Sequence, residues 1–344
     1  MNHSFLHSTR RFFTTNIIPK AKPKVHFLDL KHSGLSAIER LCFEEALLRH
    51  DPWHRNWAIV GTHDPTYQQF LSFNNGDDGK YYEHCIIVMG IGGKPDELLN
   101  LEKVREDNVL VVKRFSGGGT VVLDHHSLWT SFIGRTVDFP DVEPFPRSIM
   151  GWSASCIFER VFDRMKSESV NGTQTLKTLM IDTKSCGLAD QTRKAMVVDS
   201  KVSKDPMNIP DFQLRENDYV LGEKKIGGNA QSIVKGGWLH HTSFLWDYDQ
   251  EHMSYLSLPK KQPEYRNNRN HDDFLAKLKV YSSNSMNSTE TKAKQAFFEH
   301  IRDVCSESFD LHHASLDDAM EVIHLQGGIE KWFEDGCRTR VMEV

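Results

Sequence analysis

Residues 223–241 read E-K-K-I-G-G-N-A-Q-S-I-V-K-G-G-W-L-H-H. An adjacent lysine pair, Lys224 and Lys225, runs into Gly227-Gly228-Asn229-Ala230-Gln231, and the stretch closes on His240-His241. Upstream, Asp218 to Leu221 and Lys224 to Ile226 flank Gly222-Glu223, which predicts a hairpin. Successive strand residues face opposite ways, so only one lysine of the pair can face a site on this sheet. Lys225 leads directly into the small residues, which keep space open beside it, and Lys224 is then the solvated neighbour. A fixed ammonium there can hold a carbonyl oxygen and a phosphate oxygen together and oppose charge that develops in a transition state.

A second glycine cluster lies upstream, Arg114-Phe115-Ser116-Gly117-Gly118-Gly119-Thr120. Three glycines between strands leave backbone N–H groups uncovered, so a phosphate or carboxylate can approach them. A flexible strand connection would have the same composition. No Gly-Lys-Ser/Thr follows at the Walker offset. Gly90-Ile91-Gly92-Gly93 has its glycines misplaced for a dinucleotide fingerprint, and Pro95 follows.

Working outward, Val25 to Leu30 predicts a first strand. Ser36 and Glu39 form a capping box for a helix that runs to Arg49 and stops at Asp51-Pro52. Strands follow at Asn56 to Val60, Cys85 to Met89, Val109 to Lys113, Thr120 to Leu123, Ser127 to Ile133 and Trp238 to Trp246. Helices are expected over Leu98 to Arg105, Arg147 to Met165, Phe274 to Leu278 and Lys292 to Phe309. Asn74 to Gly79 is a loop by composition, and residues 167–210 are polar and irregular. Hairpins with helices between them point to an α+β class with a mixed, mostly antiparallel sheet and packed helices.

The 344-residue chain has a net charge of −5, with 39% apolar and 26% charged residues, which argues against a nucleic-acid surface over the whole molecule. No apolar run reaches membrane-spanning length. The six cysteines include no C-x-x-C pair and read as free thiols of a reducing compartment. Residues 1–28 hold no Asp or Glu but carry Arg10, Arg11, Lys20, Lys22 and Lys24 among serines, threonines and phenylalanines. That composition predicts an organelle targeting segment over 1–24 and a mitochondrial location, with the cytoplasm as the alternative. His125-His126, His240-His241 and His312-His313 are adjacent pairs that strand geometry splits between faces, so no structural metal is expected.

R-F-S-G-G-G-T-V, K-I-G-G-N-A-Q and H-H-T-S-F-L together, in this order, resemble the lipoate–protein ligase A type of the biotin/lipoate A/B protein ligase family. The resemblance runs from about residue 28 to about residue 280. It implies a class II synthetase-like catalytic domain over 25–280, with 281–344 a C-terminal appendage. It implies that lipoate or octanoate is activated with ATP as acyl-AMP and then attached to a lysine of a lipoyl domain. That domain would belong to a 2-oxoacid dehydrogenase subunit or the glycine-cleavage carrier. Lys225 would be the catalytic lysine. Arg114, Ser116, Gly117, Gly118, Gly119, Thr120, Gly228, Asn229, Ala230 and His241 would bind the acyl-adenylate, and Asn217 with Asp218 would handle the nucleotide and its Mg²⁺. The family's H-D-x-G-N after the triple glycine is here Leu123-Asp124-His125-His126-Ser127, with only the aspartate kept. Cysteine-dependent acyltransferases of the family need a thiol against the lysine. The only near candidate is Cys186, 39 residues upstream. The G-R-G-R pattern of biotin ligases is missing. A non-catalytic acyl-binding or assembly factor on the same fold is the reading from another class.

Overall fold

The computed structural model describes residues 21–63, 85–168, 209–258, 262–282 and 289–344. Most of the expected targeting segment, the Asn74 to Gly79 loop and Cys186 lie outside the described residues. The strands are β1 (Lys24–Asp29), β2 (Asn56–Thr62), β3 (Cys85–Met89), β4 (Leu110–Lys113), β5 (Val121–Asp124), β6 (Ser127–Arg135), β7 (Phe212–Arg215), β8 (Asp218–Leu221), β9 (Lys224–Val234), β10 (Gly237–Leu245), β11 (Asp310–Ala314) and β12 (Arg340–Val341). They form an eight-stranded sheet, β11-β1-β2-β6-β10-β9-β8-β7, and a four-stranded sheet, β12-β4-β3-β5. Pairing is parallel for β1 with β11, β1 with β2 and β3 with β4, and antiparallel elsewhere. The class is α+β with mixed sheets, as the hairpin pattern predicts.

Five helices matter for the site: α1 (Ala37–His50), α2 (Leu101–Glu106), α3 (Pro146–Ser153), α4 (Glu290–Ser308) and α5 (Leu316–Leu325). Ser36 caps α1, with the Glu39 amide reaching its Oγ at 3.2 Å and its own amide reaching Glu39 Oε2 at 2.7 Å. The Arg147 to Met165 helix is interrupted by a π-helical turn at Ala154–Phe158 and continues to residue 168. Two expectations need correction. Leu98 to Arg105 is not one helix, because Leu99 leaves it to bridge to Leu256. Phe274 to Leu278 is not helical beyond Phe274, because Leu275 bridges to Lys225 and the Ala276 amide donates to the Lys225 carbonyl at 2.8 Å. An unpaired carbonyl beside the sheet outweighs a short apolar run with no helical period of its own.

The large sheet separates two cores. Ile157, Phe158, Phe162, Trp238, Phe244 and Phe297 pack on one face, beneath α3 and α4. On the other, Leu41, Phe43, Leu47, Val112, Leu239 and Trp332 join α1, the small sheet and α5. Residues from the C-terminal segment enter both sheets: β11 lies beside β1, and β12 beside β4. There the Trp332 indole donates to the Cys42 carbonyl at 2.8 Å, and the Cys42 and Cys337 sulfurs lie 3.4 Å apart. These contacts tie α1 to the sheet that carries the triple-glycine loop.

Candidate active site

The site forms where the small sheet meets β9 and β10. Strand β9 pairs Lys225 with Val220 and Gly227 with Tyr219, so Ile226 has no partner and the ladder bulges. Without the bulge, residues 225 and 228 would point to opposite faces. With it they share one, and a Cβ built on Gly228 would stand 3.5 Å from Lys225 Nζ. Ile226 meanwhile points into the opposite core. Lys224 is exposed.

Lys225 Nζ lies 2.8 Å from Asp218 Oδ1, with side-chain exposures of 24% and 10%. The second Asp218 oxygen accepts from the Tyr265 hydroxyl at 2.8 Å. Burial, with the Asp218 carboxylate alongside, pushes the Tyr265 phenol up. The Asn217 side chain is exposed, and its carbonyl accepts from Asn229 Nδ2 at 3.1 Å. Asn229 Oδ1 accepts from Thr242 at 2.9 Å, so this amide ties the Asn217 turn to β10.

The triple-glycine loop docks edge-on against β9. The Gly117 amide donates to the Gln231 carbonyl at 2.8 Å, whereas those of Gly118 and Gly119 meet no acceptor among the described residues. Gly118 has φ of +110°, and a Cβ on it would fall 2.7 Å from the Asn229 carbonyl oxygen. Only glycine holds that backbone without strain. Nothing lies within 4 Å of a Cβ on Gly119, and both Gly118 and Gly119 are exposed.

Arg114 sits behind this loop. It is 4% exposed, with Nε on Ser116 Oγ (3.0 Å), Nη1 on the Val88 carbonyl (3.1 Å) and Nη2 on the carbonyls of Gly117 (3.1 Å) and Gly119 (2.8 Å). Burial pushes its guanidinium down to about 10, so it stays cationic at neutral pH. In this arrangement it positions the loop backbone, and charge-assisted bonds to carbonyls suit that task. Thr120 follows, its hydroxyl buried and without a partner among the described residues. Ala230 lies under Gly118, its Cα 3.1 Å from a Cβ built there.

His241 forms the inner wall. Its Nδ1 lies 3.4 Å from Ser116 Oγ and its Nε2 2.5 Å from Glu44 Oε2, and Glu44 is fully buried on α1. The ring stacks on Trp129 at 6.4 Å and 10°, with Phe115 edge-on at 5.8 Å. His240 points to the other core. Its Nε2 lies 3.2 Å from Tyr219 Oη and Nδ1 3.0 Å from Gln231 Nε2, and burial pushes it down to about 3. The structure thus brings the two glycine clusters, Lys225, Asp218 and His241 to the seam where β9 and β10 meet the triple-glycine loop. It adds Glu44, Trp129 and Tyr265, which sequence reasoning missed. No signal in the sequence set Glu44 apart, because α1 also carries Glu39, Arg40, Glu45 and Arg49.

A profile of the lipoyl protein ligase A/B catalytic domain matches residues 81–302. The chain belongs to that family. A Plasmodium falciparum protein named inactive lipoate–protein ligase 2 is 26% identical over 275 residues, 74% of this chain and 64% of its own length. Lipoate-protein ligase LplJ of Bacillus subtilis is 24% identical over 66% of this chain and 52% of its own length. The chain therefore spans less than two thirds of the length of these family relatives. Among solved structures, lipoate-protein ligase A bound with ATP overlays at a TM-score of 0.48 with 14% identity, covering 89% of this chain and 94% of that one.

Proposed function

We propose that this chain activates lipoate or octanoate with ATP and passes the acyl group to a lysine of a lipoyl domain. The carrying observation is Lys225, held on the same face as Gly228, on the strand against which the exposed Gly118-Gly119 turn docks. The acid's carboxylate oxygen attacks the α-phosphorus and expels pyrophosphate. The acceptor amine then attacks the acyl carbonyl, forms the amide and releases AMP. Lys225 would oppose negative charge on the phosphoryl oxygen in the first step and on the carbonyl oxygen in the second. The Gly118 and Gly119 amides form an anion cradle beside it.

The Lys225–Asp218 pair is mostly buried, with 24% and 10% of its side chains exposed, so a new anion must take the carboxylate's place as the pair separates. An arriving phosphate can displace the carboxylate from the lysine. The freed Asp218, beside exposed Asn217, fits an ion that keeps most of its ligands as water and phosphate, as Mg²⁺ does. Acceptors would be lipoyl domains of 2-oxoacid dehydrogenases or the glycine-cleavage carrier, and the acid-free N-terminal composition supports a mitochondrial location.

Lipoate-dependent ATP–pyrophosphate exchange tests the reading. Lys225→Ala is expected to lower it by about 10²- to 10³-fold in a protein that still melts cooperatively, at a reduced temperature because Asp218 loses its cation. Undiminished exchange in that variant would remove Lys225 from the chemistry. The name of the Plasmodium relative favours a second reading, an acyl-binding factor without catalysis. Acyl binding without exchange in the unaltered protein would establish it. Transfer from an octanoyl carrier without ATP, lost in Cys186→Ala, would instead identify a cysteine-dependent transferase. Among the described thiols, burial pushes Cys42, Cys85 and Cys305 up, Cys85 to about 12, and these three suit that chemistry poorly.

A further inference from the structure

The C-terminal segment meets α1 through a pair of thiols. Cys42 and Cys337, 295 positions apart, are both buried, and their sulfurs lie 3.4 Å from each other. A disulfide needs about 2.05 Å, so an approach of about 1.4 Å closes the gap. The two backbones are already held side by side. On one side of the pair the Trp332 indole donates to the Cys42 carbonyl, and on the other the Arg338 amide donates to Glu45 Oε2 at 2.8 Å.

Buried thiols in a core need no explanation by themselves, because free cysteine packs as a small hydrophobe. The charge beside this pair is what packing leaves unexplained. Arg340 Nη1 lies 3.6 Å from Cys337 Sγ. It also bonds the carbonyls of Thr339 (2.8 Å) and Phe333 (3.3 Å), which are the acceptors nearest the Cys337 sulfur at 3.5 and 3.7 Å. A guanidinium there favours a thiolate and offsets the carbonyls around it. The bond from Cys42 pulls the Cys337 thiol below its ordinary range against burial, whereas burial pushes Cys42 up. Cys337 is therefore the attacking sulfur and Cys42 the resolving one. Both are closed to solvent, at 1% and 0% exposure, but the cover is thin. Strand β12 is two residues long, and Arg338 and Arg340 are exposed. A cavity of about 360 Å³ bordered by Trp332, Asp335 and Gly336 reaches the residue next to Cys337. Local opening of so short a strand breaks few bonds.

We infer that Cys42 and Cys337 form an oxidation site, a latch that hydrogen peroxide closes and a small thiol reopens. The Cys337 sulfur attacks one peroxide oxygen, the O–O bond breaks, and hydroxide leaves and takes the proton that Cys337 released, forming water. Cys337 is then a sulfenic acid. The Cys42 sulfur gives up its proton and attacks the Cys337 sulfur. The S–S bond forms, the S–O bond breaks, and the second hydroxide leaves with that proton as water. Two thiols and one peroxide become one disulfide and two waters, with two electrons passing from sulfur to oxygen. The new bond joins α1, two residues before the Glu44 that holds His241, to the segment that pairs with β4, so it fastens two supports of the site. It is independent of the proposed acyl chemistry, and its readouts need no activity assay.

The test is mild peroxide oxidation of the full chain, followed by blocking of free thiols, digestion without reductant and mass spectrometry. The expected product is a peptide pair joined through Cys42 and Cys337, two hydrogens lighter than the separate peptides and split by dithiothreitol. The oxidised chain is expected to melt a few degrees above the reduced one, because the bond ties together segments far apart in sequence. In Cys42→Ala the cross-link is expected to disappear and Cys337 to accumulate as oxygen adducts. Absence of the Cys42–Cys337 cross-link under conditions that oxidise the half-buried Cys156 would overturn the inference. So would a cross-link that leaves the melting temperature unchanged or lowers it. The unaltered chain decides the matter if Cys42→Ala does not fold.

Discussion

The two ends of the site are built differently. The Lys225 end comes from one hairpin: Lys225, Asp218 and Gly228 lie within eleven residues on β8 and β9, and the Lys225 side chain keeps 24% of its surface open to solvent. The His241 end joins β10, the glycine loop, β6 and α1, with Glu44 contributed from 197 residues away and fully buried. The first end suits contacts that change during a reaction. The second suits recognition, where a fixed and desolvated wall discriminates by what it leaves unpaired.

Gly118→Ala attacks the seam between the two ends and carries the largest expected effect. Its φ of +110° and the 2.7 Å approach to Asn229 should cost about 1–3 kcal/mol and abolish pyrophosphate exchange, measured alongside the melt. Glu44→Gln strikes only the buried end. It should destabilise by about 2 kcal/mol and weaken acyl binding while leaving ATP binding intact, and a parallel loss of both would deny the division. The acid limb of stability sharpens the contrast further. His240 is held near 3 in the folded chain against an ordinary 6.5, so the unfolded chain binds the extra proton between those values. Its contribution is complete above pH 6.5 and drains away as pH falls toward 3. His240→Gln should flatten that stretch of the melting-temperature profile, and an unaltered slope would assign the acid loss elsewhere. Lys224→Ala is the smallest change, within about 0.5 kcal/mol and without effect on exchange, because that side chain stands in solvent.

What was legible in the sequence follows the same division. The capping box at Ser36, the hairpin at Gly222-Glu223 and the assignment of Lys225 to the site face depend on neighbours within a few positions. Strand alternation alone, however, would have sent Gly228 away from Lys225, because a bulge is set by how two strands are paired and leaves no mark in composition. Glu44 was hidden for another reason. Helix α1 is buried on nearly every side, so its charged residues could not be sorted into solvent-facing and site-facing by period. The short helix expected over Phe274 to Leu278 failed because those residues answer the Lys225 carbonyl, a demand posed from fifty positions upstream.

The pairing of β12 with β4 has a consequence for how the molecule is made. A ribosome produces Lys113 more than two hundred residues before Arg340, the residue it lies opposite. At ordinary elongation rates that interval is on the order of ten to fifty seconds. Throughout it, the strand that leads into the triple-glycine loop has an open edge, the feature most prone to mispairing in a nascent chain. The triple-glycine loop is therefore among the last parts of the protein to gain its support, although its residues are among the earlier ones translated.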